Sequence, residues 1–296
     1  IRLTRMDQFA ALEEYIKNTN NNIVDIIEFG DIIYPSDLAK ESYEQIVKRV
    51  KVFCESYNIK LYLTTPRILI ERDFERVADT VKYLCFKNPR PEGVVINNLG
   101  LWKTVSNNKK IKEINIELGY GLNILNSKTV EFFESTCPVS GLNIDSDLSI
   151  ENIEQIISNT NIPTRSFMIL GTSKLHTSGL CPLNNDIAIV SRLSCKAPCQ
   201  RTSYAIVDPF TNNMLPMVLD GFCRFHLVNS YIEDHLNNID KYIEAGITDF
   251  TIDYSALPGE MIKPLLDRYC SAFNDAENYA PIEQDIIKYE PKVYSK

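Results

Sequence analysis

The chain has 296 residues, 44% of them apolar and 24% charged, an ordinary globular composition that can bury a large core without covalent staples. A net charge of −8 argues against broad, non-specific nucleic-acid binding, which needs a basic surface. The run Lys109-Lys110-Ile111-Lys112 reads as a solvated loop, and no stretch approaches the ~18 apolar residues of a membrane helix.

Ile23 to Phe29 reads as a strand that Gly30 ends. Tyr43, Ile46, Val47, Val50, Phe53, Cys54 and Tyr57 then recur at helical spacing, with Cys54 on the apolar face. Leu61 to Thr65 is the next strand, stopped by Pro66. Phe74, Val77, Ala78, Val81, Leu84 and Cys85 mark a second amphipathic helix. Gly93-Val94-Val95-Ile96-Asn97-Asn98 suits a strand buried on both faces. Strands over 114–118, 141–144 and 166–170 and helices near 128–134 and 150–157 continue the alternation. After an irregular segment it resumes. A Ser230/Glu233 capping box opens a helix with the stripe Ile232, Leu236, Ile239 and Ile243, and Gly246 stops it. A strand over 248–253 and a helix within 258–273 follow.

This strand-then-helix rhythm predicts an α/β fold, a closed or nearly closed (β/α)8 barrel of the TIM type. An open doubly wound sheet is the alternative, but no Gly-x-Gly-x-x-Gly or phosphate loop supports it. The expected organisation is one barrel domain over 1–273, with a cysteine-rich segment at 171–226, and a polar tail at 274–296. The chain starts at Ile1 without a secretory or transit pattern. A cytoplasmic, thiol-reducing compartment is the expectation.

Of eight cysteines, Cys54, Cys85 and Cys137 read as core or loop thiols. Cys181, Cys195, Cys199 and Cys223 fall together in the irregular segment, spaced C-x13-C-x3-C-x23-C. In a reducing compartment such clustering points to metal or redox chemistry. One close pair and two singles favour an iron–sulfur cluster over a zinc ribbon, which prefers two close pairs. A cysteine nucleophile is a further reading, with His176 and His226 flanking the segment. No His-Glu-x-x-His or Gly-x-Ser-x-Gly motif supplies a protease site.

Several motifs carry a family resemblance. Ser178-Gly179-Leu180-Cys181 resembles the "SGxC" signature of the collagenase-like peptidases (peptidase family U, number thirty-two), with Gly171 where the family has "HG". Ser194 to Tyr204 resembles its "C-x3-C-R-x-x-Y" segment with one residue inserted. Leu122 to Ser127 resembles "LNxxNS", and Gly246-Ile247 its "aGI" lead-in. The resemblance implies an iron–sulfur protein with a [4Fe-4S] cluster on four cysteines. Such members act in oxygen-independent hydroxylation of ubiquinone precursors or RNA bases, and some RNA-acting members use prephenate as hydroxyl donor. Short members, in anaerobic ubiquinone biosynthesis, pair with a related subunit.

Cys181, Cys195 and Cys223 match ligand positions of one branch, and Cys181, Cys195 and Cys199 those of another. Lys174 and Tyr34 stand where those branches place a further cysteine. The union, Cys181, Cys195, Cys199 and Cys223, is the implied ligand set. The expected function is thus an iron–sulfur enzyme of hydroxylation or related redox modification, with a small, prephenate-like molecule favoured over RNA by the acidity. A non-catalytic partner subunit in a hetero-oligomer and a peptidase are the alternatives. Strand ends of the barrel nominate Arg67, Asn97, Asn123 and Asn126 for substrate binding, and Arg201 lies beside the proposed ligands.

Overall fold

The computed structural model describes residues 1–19, 23–30, 41–86, 90–107, 114–183 and 204–274. Cys195, Cys199, Arg201 and Tyr34 lie outside them, as does the proposed tail from residue 275 onward.

Eight strands close into a parallel barrel. In chain order they are β1 (Arg2–Leu3), β2 (Ile26–Gly30), β3 (Lys60–Thr64), β4 (Gly93–Ile96), β5 (Asn115–Leu118), β6 (Gly141–Ile144), β7 (Thr164–Gly171) and, after an insertion, β13 (Asp249–Asp253). Each pairs with the next, β7 pairs with β13, and β13 returns to β1, all in parallel. Helices α1 (Met6–Thr19), α2 (Tyr43–Ser56), α3 (Glu71–Phe86), α4 (Leu99–Ser106), α5 (Ser127–Glu134) and α6 (Ile150–Ile157) connect the strands through β7. Helix α7 (Ile239–Glu244) precedes β13, and α8 (Ile262–Asn274) follows it.

Local sequence explains these elements. Ser42 and Gln45 form a reciprocal capping box at the start of α2, and Ile46, Val47, Val50 and Phe53 bury one face. Helix α1 buries Phe9, Leu12 and Ile16 at the same three- and four-residue spacing.

Strand side chains alternate between the two faces of a sheet. Leu3, Ile27, Phe29, Leu61, Leu63 and Val94 belong to the apolar cluster between strands and helices. Their alternates Arg2, Glu28, Glu117, Asn143, Ser166 and Asp253 face the barrel axis, all at 6% exposure or less. TIM-type barrels more often fill this space with branched apolar residues. Here it is polar.

Between β7 and β13 the chain builds a second, antiparallel sheet: β8 (Lys174–Ser178), β9 (Tyr204–Val207), β10 (Met214–Leu219) and β11 (Phe225–Val228), in the order β8-β11-β10-β9. This replaces the expectation of an irregular segment. These strands carry little apolar alternation, because much of the sheet is half-exposed.

The helix expected at Ser230 is also corrected. Glu233 and Asp234 form a short strand, β12, antiparallel to Leu170 and Gly171 of β7. Strand β6 ends at Ile144, opposite Phe167, so the last residues of β7 would otherwise lack a partner on that side. The helix begins only at Ile239, and Gly246, at φ 95°, ends it as expected. No helix among the described residues is long and apolar enough to cross a membrane.

Candidate functional site: the barrel mouth and the cysteine end of the inserted sheet

The loops at the C-terminal ends of the strands surround a cavity of about 110 Å³. Arg67 follows β3, Tyr120 and Asn123 follow β5, Asp145 follows β6, and Lys174 opens β8. Arg67 Nη2 donates to Asn123 Oδ1 at 2.9 Å. Lys174 Nζ donates to the Tyr120 hydroxyl at 3.2 Å and stands 4.4 Å from the ring centroid, within cation–π range. Thr172 also lines the cavity; it is 4% exposed, and its hydroxyl finds no hydrogen-bond partner among the described residues. Two cations, an amide, a phenol and a spare hydroxyl can hold a carboxylate or a ketone oxygen.

Below the cavity a buried network crosses the barrel. Arg2 Nε donates to Glu28 at 2.7 Å, Nη1 to Asp253 at 2.9 Å and Nη2 to Asn143 Oδ1 at 2.7 Å. Asn143 Nδ2 passes the chain to Glu117 Oε2 at 3.4 Å. Burial, then the charges of Glu28 and Asp249, push the Glu117 carboxyl up to about 8, so it is mostly a neutral acid at pH 7. Burial also pushes Asp253 up, but Arg2 and Lys174 outweigh it and hold the group below the ordinary carboxylate value.

The four residues nominated on strand ends separate into two kinds. Arg67 and Asn123 line the cavity. Asn97 serves the backbone: its amide donates to Thr65 O at 2.8 Å and accepts from Gly121 N at 3.0 Å, at 1% exposure. Asn126 caps α5 by accepting from Thr129 N at 3.0 Å. Sequence reasoning did not nominate Lys174, Tyr120 or Arg2 for the site. Tyr120, between two glycines just past β5, carried a usable signal. The close fit there gives a test. A Cβ on Gly121 would stand 2.4 Å from Asn97 O, so Gly121→Ala should cost about 1–3 kcal/mol, read by urea unfolding.

The inserted sheet rests on the same mouth. Arg224 Nη1 donates to Ile68 O, in the loop after β3, at 2.7 Å. Gly179 sits beside Ile68 and Ile70. The ladder between β8 and β11 pairs Ser178 with Phe225. Cys181 lies three residues beyond Ser178, and Cys223 two residues before Phe225. Both therefore leave the sheet at one end. Strand β9 begins at that same end, because Tyr204 pairs with Met217, near the end of β10.

The hairpin loop between β10 and β11 turns on Asp220. Its Oδ1 accepts from Phe222 N at 2.8 Å and Arg224 N at 3.0 Å, and its carbonyl accepts from Cys223 N at 3.0 Å. Cys223 takes φ 59°, the left-handed region that L residues adopt reluctantly. Asp220 Oδ2 accepts from Arg224 Nε at 2.5 Å and lies 3.5 Å from His226 Nε2, while His226 Nδ1 meets Thr177 Oγ1 at 3.2 Å. Burial pushes the Asp220 carboxyl up; the His226 bond and the Arg224 charge more than reverse this and hold it below the ordinary value. Thr177, His226 and Asp220 have the order of a hydrolytic triad. However, His226 is fully buried, and its carboxylate is also engaged by an arginine, an arrangement that suits a structural tie better than a general base. Among the described residues no group of three or more His, Cys, Asp or Glu is arranged to hold a metal ion.

A (β/α)8 barrel carrying an inserted antiparallel sheet over its mouth is the class of protein that this geometry defines. The model of Peptidase family U32 matches residues 34–295, and the chain belongs to that family. Among solved structures, the chain is similar to the U32 peptidase Mk0906, with 12% identity and a TM-score of 0.40 over 51% of this chain and 63% of that one. It is also similar to a putative fructose-1,6-biphosphate aldolase from Coccidioides immitis, with 11% identity and a TM-score of 0.47 over 95% and 79% of the two chains. The YdjI aldolase from Escherichia coli K12 is a further likeness, with 8% identity and a TM-score of 0.36 over 56% and 63%. No curated protein matches the chain.

Proposed function

We propose that the chain is an iron–sulfur protein, with Cys181, Cys195, Cys199 and Cys223 as ligands of a [4Fe-4S] cluster. It would act at the barrel mouth in an oxygen-independent hydroxylation or related redox modification of a small molecule. The observation that carries this is the register of the inserted sheet. Cys181 and Cys223 adjoin one end of it, and Tyr204, five residues after Cys199, begins β9 there.

The donor set fits. Cluster ligands must be thiolates that a metal can reach. Cys181 and Cys223 are part-exposed, as is Cys270 far away on α8, whereas Cys54, Cys85 and Cys137 are buried. Burial pushes the Cys54 and Cys85 thiols up to about 12, which suits core packing and not ligation. A bound cluster would supply one-electron chemistry beside the mouth. The chain's own part there is to hold a substrate: Arg67 and Lys174 attract an anionic or carbonyl oxygen, Tyr120 and Asn123 orient it, and the neutral Glu117 acid below keeps a proton within the buried network.

The test is anaerobic purification or reconstitution with iron and sulfide analysis. About four irons and four sulfides per chain are expected. Single Cys→Ala changes at positions 181, 195, 199 and 223 should each lower iron content severalfold, and Cys54→Ala and Cys85→Ala should not. A colourless chain with stoichiometric zinc, or equal losses from the core cysteines, would sink the proposal.

A further inference from the structure

The geometry points to Asp220 as the residue that presets the cluster site: one buried carboxylate holds both the Cys181 and the Cys223 segments in place before any metal arrives. This assignment rests on the cluster reading above and names the positioning residue for it.

Asp220 is 1% exposed, Arg224 4% and His226 0%. Burying such groups is costly unless their hydrogen bonds are satisfied, and here they are satisfied by one another. Three arms leave the carboxylate and its backbone. The first is the loop itself. Two N–H groups on Asp220 Oδ1 and one on its carbonyl hold the turn that places Cys223 in a left-handed conformation. A non-glycine residue in that region is retained only where surroundings over-determine it. The second arm runs through His226 to Thr177, its direct cross-strand partner on β8, four residues before Cys181. The third runs through Arg224 to Ile68 O, at the barrel mouth one residue after Arg67. Both cysteine segments and the substrate cavity are thereby referred to one side chain. In metal sites, groups that orient the ligands commonly contribute 10–100-fold to affinity.

The chain carries its own control. The hairpin between β9 and β10 turns on Asp208, whose Oδ1 accepts from Phe210 N at 2.9 Å and whose Oδ2 accepts from Thr211 Oγ1 at 2.5 Å. It is the same local device at the opposite end of the sheet, exposed, and with no cysteine in its turn.

The experiment compares wild type with Asp220→Asn, His226→Gln and Asp208→Asn after anaerobic reconstitution with iron and sulfide. The readouts are iron per chain, the rate of iron loss to a chelator, and the EPR spectrum of the reduced protein. Asp220→Asn keeps an acceptor for the loop but turns an amide toward Arg224 and His226. It should lose iron at least about 10-fold faster than wild type, with shifted EPR g values. His226→Gln, which cuts only the second arm, should fall between the two and guards against Asp220→Asn failing to fold. Asp208→Asn should match wild type in rate and spectrum. If Asp220→Asn or His226→Gln holds iron as long as wild type, with the same spectrum, the assignment is overturned while the cluster reading stands. If both lose iron no faster than Asp208→Asn does, the effect is general destabilisation and the assignment is likewise overturned. A wild-type chain that takes up no iron and sulfide overturns the cluster reading, and this assignment with it.

Discussion

Arg2→Ala should destabilise the barrel by about 3–5 kcal/mol, the usual cost of breaking a buried ion pair from one side. The guanidinium is the only group that both Glu28 and Asp253 pair with among the described ion pairs, and both carboxylates are 5% exposed or less. Truncation leaves two buried anions and takes a donor from Asn143. In wild type the Arg2 guanidinium holds the Asp253 carboxyl below the ordinary value. Stability of that kind is present above the unfolded pKa and lost as pH falls through the folded one, and the variant gives it up. The deficit against wild type should accordingly be larger at pH 8 than at pH 3 in urea unfolding. A loss below about 1 kcal/mol at pH 8 would match an exposed pair and contradict the buried network.

Glu117→Gln should act in the opposite direction. The folded carboxyl titrates at about 8, against 4.5 for the ordinary group. Between those two values the unfolded chain has released the proton and the folded chain has not. The folded state then binds more protons, and stability falls as pH rises through that window. Glutamine has the same shape, keeps an acceptor for Asn143, and carries no such liability. At pH 7 the variant should be more stable by up to about 3 kcal/mol, from some 1.4 kcal/mol for each pH unit above 4.5. Near pH 4 the two proteins should coincide. Equal stability at pH 7 would mean that Glu117 is ionised in the fold.

Much of the scaffold was legible in the sequence because its signals are local. Helix α2 announces itself through Ser42, Gln45 and the Ile46-to-Phe53 stripe. Gly246 marks the end of α7. Other features were hidden for identifiable reasons. Strand β1 is two residues long, too short for any periodicity, and is defined by its neighbours β2 and β13. Helix α1 carries its signal in Phe9, Leu12 and Ile16, spaced as on α2. The inserted sheet is half-exposed, so the alternation that betrays a buried strand is weak there.

The polar barrel axis leaves a signal in three strands. Glu28 in Ile26-Ile27-Glu28-Phe29, Glu117 in Asn115-Ile116-Glu117-Leu118 and Asn143 in Gly141-Leu142-Asn143-Ile144 are each a polar residue at the inward position of an apolar strand. Taken singly they look like tolerated exceptions, and together they trace one network. At the mouth, Asn97 and Asn126 shared residue type and strand-end placement with Asn123. Only three-dimensional geometry separates two backbone caps from an amide facing a cavity.

The shortness of β1 has a consequence for how the molecule assembles. The ring is shut by Arg2 pairing with Asp253, residues 251 positions apart. Nothing local can form that joint, and the entropy of closing so long a loop is lost before any contact compensates it. A chain emerging from the ribosome can stack β2 through β7 with their helices as an open, curved sheet, but it cannot become a cylinder until β13 has appeared. The residues of the inserted sheet precede β13 in the chain, so they are all synthesised while the barrel beneath them is still open. The floor of the mouth, where Arg2 meets Asp253, therefore exists only once β13 has joined the sheet.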